Sequence, residues 1–272
     1  MQPSRDLHAL RVDNSNCFDG ANCFVVIPAR LESTRLPRKL LLRETGKTVL
    51  QHTYEAVERA TLPQGICVAV DHGELADEVA RFGGRWMMTD PLAASGTDRV
   101  AEVARAMPQI EIFVNVQGDE PEISGEAIDS LVTLLREDPE APMATLATPI
   151  RTAERLQDPA CVKVVMDDRG RALYFSRSAI PHDRDGLYQD WQSEPATYFQ
   201  HLGMYAYRRD FLLELGNLPP APLERMEKLE QLRVLSAGFA IQVGVVQQAT
   251  RGIDTAEDYR AFVQRIRTRQ AA

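Results

Sequence analysis

The feature that most constrains the fold is a regular alternation along residues 24–148. Short, continuously apolar runs take turns with segments whose apolar residues recur at helical spacing. Phe24-Val25-Val26-Ile27, ended by Pro28, reads as a strand buried on both faces, as do residues 66–70, 112–116 and 143–148, with 85–88 a further short strand. Between them, residues 50–60 and 75–82 read as helices. Val100, Val103, Ala104 and Met107 then fall at i, i+3, i+4 and i+7, and Ile128, Leu131, Val132 and Leu135 repeat that spacing. Strand and helix in succession require a mostly parallel sheet flanked by helices on both faces.

The pattern changes after about residue 150. Segments 162–166 and 172–175 flank Asp167-Asp168-Arg169-Gly170, a hairpin signal. Residues 181–196 read as a loop, 202–207 as a strand, 223–235 as one helix, 240–246 as a strand and 255–267 as a closing helix. The expectation is a single α/β domain over 23–272 with an antiparallel insertion. Residues 1–22 have no apolar stretch of signal-peptide type and read as a flexible extension.

Composition narrows the partners. A formal charge of −8, from 31 basic and 39 acidic residues, argues against nucleic acid and against an anionic membrane surface. Cys17, Cys23, Cys67 and Cys161 form no C-x-x-C pair, so idle thiols in a reducing compartment are expected, and the expected location is the cytoplasm.

In open α/β sheets ligands bind beyond the carboxyl ends of the strands. The first strand is followed there by Arg30, Arg35, Arg38 and Lys39, four cations within ten residues opposed by Glu32 alone. Arg30, Arg35 and Lys39 converging on one point would suit a polyphosphate, since arginine offers a bidentate fork and lysine a mobile point charge. Gly46-Lys47-Thr48 imitates the end of a Walker A loop, but Leu41 stands where its first glycine belongs, and no G-x-G-x-x-G occurs. Ser95-Gly96-Thr97-Asp98-Arg99 before a helix is either an N-cap or an anion- or base-binding turn. Asp119, at the end of a buried strand beside Gly118, suits Mg²⁺ given a second carboxylate. Asp254 offers one, and serves equally well on sequence alone as the N-cap of the last helix. Glu230 falls in an apolar stripe with Leu223, Met226, Leu229 and Val234, where an acid must be paired or face a cleft.

Together FVVIPARLESTRLPRK, SGTDR, NVQGDEP, MATL, VKVVMD, ALYFSRSAIP, HLGMYAYR, PLERMEKLEQLR and GIDTAEDY resemble the 3-deoxy-D-manno-octulosonate (Kdo) cytidylyltransferases of lipopolysaccharide synthesis, over residues 24–262. The resemblance implies a nucleotide-diphospho-sugar transferase fold, of the GT-A-like Rossmann kind, and conversion of CTP and Kdo to CMP-Kdo and pyrophosphate. It also implies Mg²⁺ and a homodimer. It places a CTP-binding part at about 23–150 and a sugar-binding and dimerisation part at about 151–250. It assigns Arg30, Ser33, Arg35 and Lys39 to the CTP phosphates, and Asp71, Ser95, Gly96 and Arg99 to the nucleoside pocket. Asp119 and Asp254 fall to the metal, and Gln117, Arg177, His201, Tyr205, Glu230 and Gln231 to the sugar. Lys39, Arg30, Asp119 and Asp254 form the catalytic set. Where many members read Gly-Lys-Pro after Leu-Pro, this chain reads Arg38-Lys39-Leu40, and the extra cation is expected to face solvent. A cytidylyltransferase for another acidic sugar, such as 8-amino-Kdo or a sialic acid, would share the CTP motifs. A non-catalytic nucleotide-binding regulator on the same fold is disfavoured by retention of Asp119, Asp254 and Lys39 together.

Overall fold

The computed structural model of the chain describes residues 22–186, 190–247 and 252–271. Apart from Asn22, the expected extension lies outside the described residues, as do Cys17 and residues 248–251. The chain divides into two compact units, one within Met1–Asp129 and Thr250–Ala272, the other within Ser130–Ala249.

In the first unit the apolar runs form a parallel sheet in the order β3-β2-β1-β4, from β1 (Cys23–Ala29), β2 (Ile66–Val70), β3 (Trp86–Met88) and β4 (Ile112–Asn115). Every residue of β1, β2 and β4 is buried, which explains why these strands are apolar throughout and do not alternate. The first strand runs past Pro28 to Ala29. Its ladder with β4 stops at Val26↔Asn115, so Pro28 keeps only the β2 side, where it pairs with Ala69. A proline is tolerated on such a one-sided stretch.

The helices begin where local chemistry satisfies their first N–H groups. In α1 (Val49–Val57) the Thr48 hydroxyl accepts from Gln51 N, and in α2 (Gly73–Arg81) His72 accepts from Glu74 N. At α3 (Gly96–Ala106) Ser95 and Asp98 exchange bonds in a capping box. The start of α4 (Gly125–Glu137) packs directly on backbone: a Cβ on Gly125 would lie 2.5 Å from the Arg59 carbonyl carbon. The Asp129 carboxylate accepts from Thr61 N at 3.0 Å and Leu62 N at 2.9 Å, fixing the same turn.

In the second unit β5 (Met143–Pro149) lies antiparallel to β8 (Phe199–Arg208) and parallel to β9 (Ile241–Val245). The expected hairpin is present as β6 (Lys163–Met166) and β7 (Ala172–Ser176), with Gly170 at φ +76° in its turn. The mixed α/β architecture and its antiparallel strands therefore match expectation. Two short helices, α5 (Ala153–Gln157) and α6 (Arg209–Leu215), have no counterpart in the sequence reading.

One expected element is corrected. The single helix over 223–235 is two helices, α7 (Pro222–Glu227) and α8 (Gln231–Ser236), separated by Lys228 in a left-handed conformation at φ +54°. The supposed stripe dissolves with it: Met226 is 81% and Leu223 41% exposed, while Leu229 and Val234 are buried. Glu230 is instead the N-cap residue of α8. The final helix, α9 (Ala256–Ala271), closes the first unit. Among the described residues no helix is long and apolar enough to cross a membrane.

Candidate active site

The first unit gathers a charged cluster at the carboxyl ends of its strands. Lys39 opens a single 3-10 turn (Lys39–Leu41) that follows Arg38, and its backbone path depends on Arg38 adopting φ +54° and ψ +31°. Only glycine takes that left-handed conformation without steric cost, which gives a physical reason for the Gly that the resemblance led one to expect before the Lys. Arg38 is half-exposed, and its guanidinium is bonded to the Glu74 carboxylate, so the extra cation is held against α2 and does not simply face solvent.

The turn aims the Lys39 ammonium at three oxygens. It donates to Asp119 Oδ2, to Ile253 O at 3.0 Å and to Asp254 Oδ1 at 3.2 Å. Arg35 reaches the same Asp254 oxygen at 3.1 Å. Asp119 follows β4, and Gly118 beside it approaches closely enough that a Cβ would stand 3.2 Å from Pro28 O. Thr53 Oγ1 fixes that turn by donating to Gly118 O at 2.9 Å.

The open question at Asp254 is resolved by the cap of α9. Thr255 and Asp258 exchange the capping bonds: Asp258 N donates to Thr255 Oγ1 at 3.2 Å, and Thr255 N donates to Asp258 Oδ2 at 2.9 Å. The Asp254 side chain is left out of the cap, 48% exposed, facing Lys39 and Arg35. Two carboxylates thus share one cation, with the Asp254 side chain half-exposed to solvent.

Other expected residues fall nearby or elsewhere. Arg30 is exposed and forms no ion pair among the described residues; Ser33 is half-buried. The loop therefore brings Arg35 and Lys39 together, while Arg30 stays apart from the carboxylates. Asp71 accepts from Leu31 N at 2.9 Å and faces Arg99 Nη2 at 3.4 Å. Arg99 is 1% exposed and bonded to Thr89 Oγ1, Asp90 O and Pro91 O. Its guanidinium thus holds the loop after β3 and the Asp71 carboxylate in place. Ser95 caps α3, so its hydroxyl is engaged locally. A Cβ on Gly96 would come within 3.6 Å of the Gln117 amide, which puts Gln117 beside the α3 N-terminus.

In the second unit His201, Tyr205 and Phe175 form an aromatic group. The His201 ring lies 5.0 Å from Phe175, edge on, and 5.5 Å from Tyr205. Burial pushes the imidazole down to about 3, so it is neutral at physiological pH, and burial with the nearby Glu230 charge pushes the Tyr205 hydroxyl well up. Gln231 is 4% exposed, and its Nε2 has no hydrogen-bond partner among the described residues. A buried amide donor in that state costs free energy unless something accepts from it.

Arg177 is largely committed to the chain itself. Its N donates to Glu227 Oε2 at 3.0 Å, its Nε to Glu227 O at 2.8 Å and its Nη1 to Pro159 O at 3.1 Å. Sequence reasoning missed the residue that anchors this arrangement. Lys163, fully buried, donates to Asp158 O at 3.1 Å, Cys161 O at 2.6 Å and Arg177 O. A lysine inside an apolar strand was the available signal.

The cytidylyltransferase family profile matches residues 24–243. A 3-deoxy-manno-octulosonate cytidylyltransferase of Rhodopirellula baltica is 53% identical over 90% of this chain and 98% of its own length. The chain belongs to the 3-deoxy-manno-octulosonate cytidylyltransferase family. Another 3-deoxy-manno-octulosonate cytidylyltransferase, from Syntrophotalea carbinolica, is 48% identical over 86% of this chain and 94% of its own. A solved structure of CMP:2-keto-3-deoxy-manno-octonic acid synthetase complexed with CTP superposes with a TM-score of 0.85 at 39% identity, covering 92% of this chain and all of that one. The 4-diphosphocytidyl-2C-methyl-D-erythritol synthase of Anaerococcus prevotii, at 15% identity and TM-score 0.58 over 90% of this chain and all of that one, shares the fold.

Proposed function

We propose that this cytidylyltransferase transfers the cytidylyl group of CTP to Kdo, releasing pyrophosphate and supplying CMP-Kdo for lipopolysaccharide synthesis. The observation that carries the reading is the convergence of Asp119, Asp254 and Arg35 on Lys39 at the strand ends of the first unit. The nucleotide falls to residues of about 23–150 and the sugar to those of about 151–250.

The donor chemistry at Asp119 and Asp254 fits Mg²⁺. Magnesium is commonly held by one or two carboxylates with substrate phosphates and water completing an octahedron. Among the described residues no group of three or more His, Cys, Asp or Glu side chains forms a self-sufficient metal cage, in keeping with a site that relies on its substrate. Bound there, Mg²⁺ would screen the nucleotide and sugar anions from each other and lower the pKa of a hydroxyl.

The rest of the chemistry belongs to this chain's own groups. The anomeric 2-hydroxyl of Kdo attacks the α-phosphorus of CTP in line, and the bond to pyrophosphate breaks. Lys39, Arg35 and Arg30, with Ser33, hold the phosphates and neutralise charge that builds on the leaving group. Asp71, Ser95, Gly96 and Arg99 shape the nucleoside pocket. Gln117, Arg177, His201, Tyr205, Glu230 and Gln231 hold the sugar acid. The partnerless Gln231 amide supports this, because a sugar carboxylate or hydroxyl supplies the acceptor that the buried donor lacks. A cytoplasmic homodimer is the assembly we assign.

Pyrophosphate release with CTP and Kdo, beside 8-amino-Kdo and a sialic acid, tests the reading. Kdo is expected to give the highest kcat/KM. Asp119→Asn and Asp254→Asn are each expected to abolish turnover with circular dichroism unchanged; near-normal turnover in either removes that residue from the site. Glu230→Gln should raise the KM for Kdo more than that for CTP. A drop in melting temperature alone would make Glu230 structural.

A further inference from the structure

The β5–β8 ladder is interrupted beside the aromatic group of the second unit. Thr145 pairs with Tyr205, but the next residue, Leu146, pairs with Leu202, so Gly203 and Met204 are skipped. Such a bulge leaves backbone carbonyls without ladder partners, and buried carbonyls need a donor. The Thr145 hydroxyl, fully buried, fills that role: its Oγ1 lies 2.8 Å from Met204 O and 3.1 Å from Leu202 O.

The same oxygen lies 3.0 Å from His201 Nε2. A threonine hydroxyl has one proton and two acceptor lone pairs. With its proton directed to the bulge carbonyls, Oγ1 can only accept from the ring. The ring proton must then sit on Nε2. Nδ1, which makes no hydrogen bond among the described residues, carries the lone pair of the neutral ring. The reverse arrangement would turn the hydroxyl proton toward Nε2 and take it from both carbonyls at once.

We propose that Thr145 is a positioning residue that holds His201 as its Nε2–H tautomer, so that Nδ1 accepts a hydrogen bond from a hydroxyl of the sugar acid. This rests on the assignment of His201 to the sugar under the proposed function. The bulge is the device: by breaking the ladder it creates carbonyls that orient a hydroxyl, and the hydroxyl orients the ring. A neutral acceptor suits a polyhydroxylated substrate. It selects for a hydroxyl donor at that position and takes no proton from the reacting group.

The test has two arms. In the first, long-range ¹H–¹⁵N spectra of histidine-labelled protein at neutral pH, with His201 assigned by its loss in His201→Gln, are expected to show the proton on Nε2. A proton on Nδ1 overturns the tautomer. In the second, Thr145→Val is expected to raise the KM for Kdo about tenfold, the scale of one lost hydrogen bond. The KM for CTP should stay unchanged, and Thr145→Ser should restore the Kdo value. Equal changes for both substrates, or no rescue by serine, overturn the positioning role. If Thr145→Val fails to fold, the wild-type spectrum and the serine variant decide. Absence of any CMP transfer to Kdo by the wild type would refute the functional reading and with it the sugar, while the spectrum still decides the tautomer separately.

Discussion

Replacing Lys39 by Met keeps the side-chain stem and removes the cation that Asp119 and Asp254 share. At 3.2 Å and an effective dielectric of about 20, the Lys39–Asp254 pair is worth about 5 kcal/mol of gross Coulomb attraction. Dehydrating the ammonium offsets much of that, and Asp254, 48% exposed, is strongly screened by water. The net loss, including the repulsion between two carboxylates left facing each other, comes to about 2–3 kcal/mol. For a chain of this size that lowers the melting temperature by about 5–10 °C. The same vacancy makes a better cation site. With Mg²⁺ at ten times its dissociation constant, the variant should regain about 1.4 kcal/mol, or roughly 3–5 °C. The wild type, whose ammonium competes for the same oxygens, should gain less. Thermal melts in EDTA and across a Mg²⁺ titration measure both quantities. A variant as stable as the wild type, or one whose melting temperature ignores Mg²⁺, would refute the placement of a cation between these carboxylates.

Three further outcomes are expected. Lys163→Met orphans one buried and two partly buried carbonyls and should cost about 2–4 kcal/mol in urea unfolding, with a higher KM for Kdo because Arg177 loses its anchor. Gly125→Ala places a methyl 2.5 Å from Arg59 backbone and should destabilise by about 2 kcal/mol or more, read as a lower urea midpoint at unchanged slope. His201 is neutral in the folded state down to about pH 3 but protonates near 6.5 when unfolded, so the unfolded chain binds the extra proton in between. Stability conferred by the neutral ring is complete above pH 6.5 and declines as pH falls from there towards 3. Wild type should lose up to about 1.4 kcal/mol per pH unit more than His201→Gln over that window.

Much of this was legible in the sequence, for physical reasons that differ by element. Buried parallel strands must be apolar along their whole length, so β1, β2 and β4 announced themselves. Arg35, Lys39, Asp119 and Asp254 were singled out because chemistry in such sheets collects after strands, and the structure brings these four side chains together. The helix over 223–235 was misread because periodicity sees side chains and not the backbone: nothing in the spacing marks Lys228 as left-handed. Asp254 could not be assigned because its two roles differ only in where one side chain points, and the Thr255–Asp258 capping bonds show only that it does not cap the helix. Thr145 was invisible as a positioning residue, since a bulge is a property of two strands paired together.

The Lys39 ammonium has a consequence for when the protein becomes competent. Its three acceptors lie 80, 214 and 215 residues further along the chain. The Tyr259 hydroxyl, accepting from Glu44 N, closes a span of similar length. A chain emerging from the ribosome can form β1, β2 and the Lys39 turn early, but the full charged cluster must wait for residues near 254, more than two hundred positions later. Contacts of such separation form late, after shorter loops have closed. Lys39 can meet Asp119 first, but the second carboxylate joins them only after residue 254 has been made. Prematurely terminated chains lacking the final segment would keep the parallel sheet yet never assemble the pair of carboxylates.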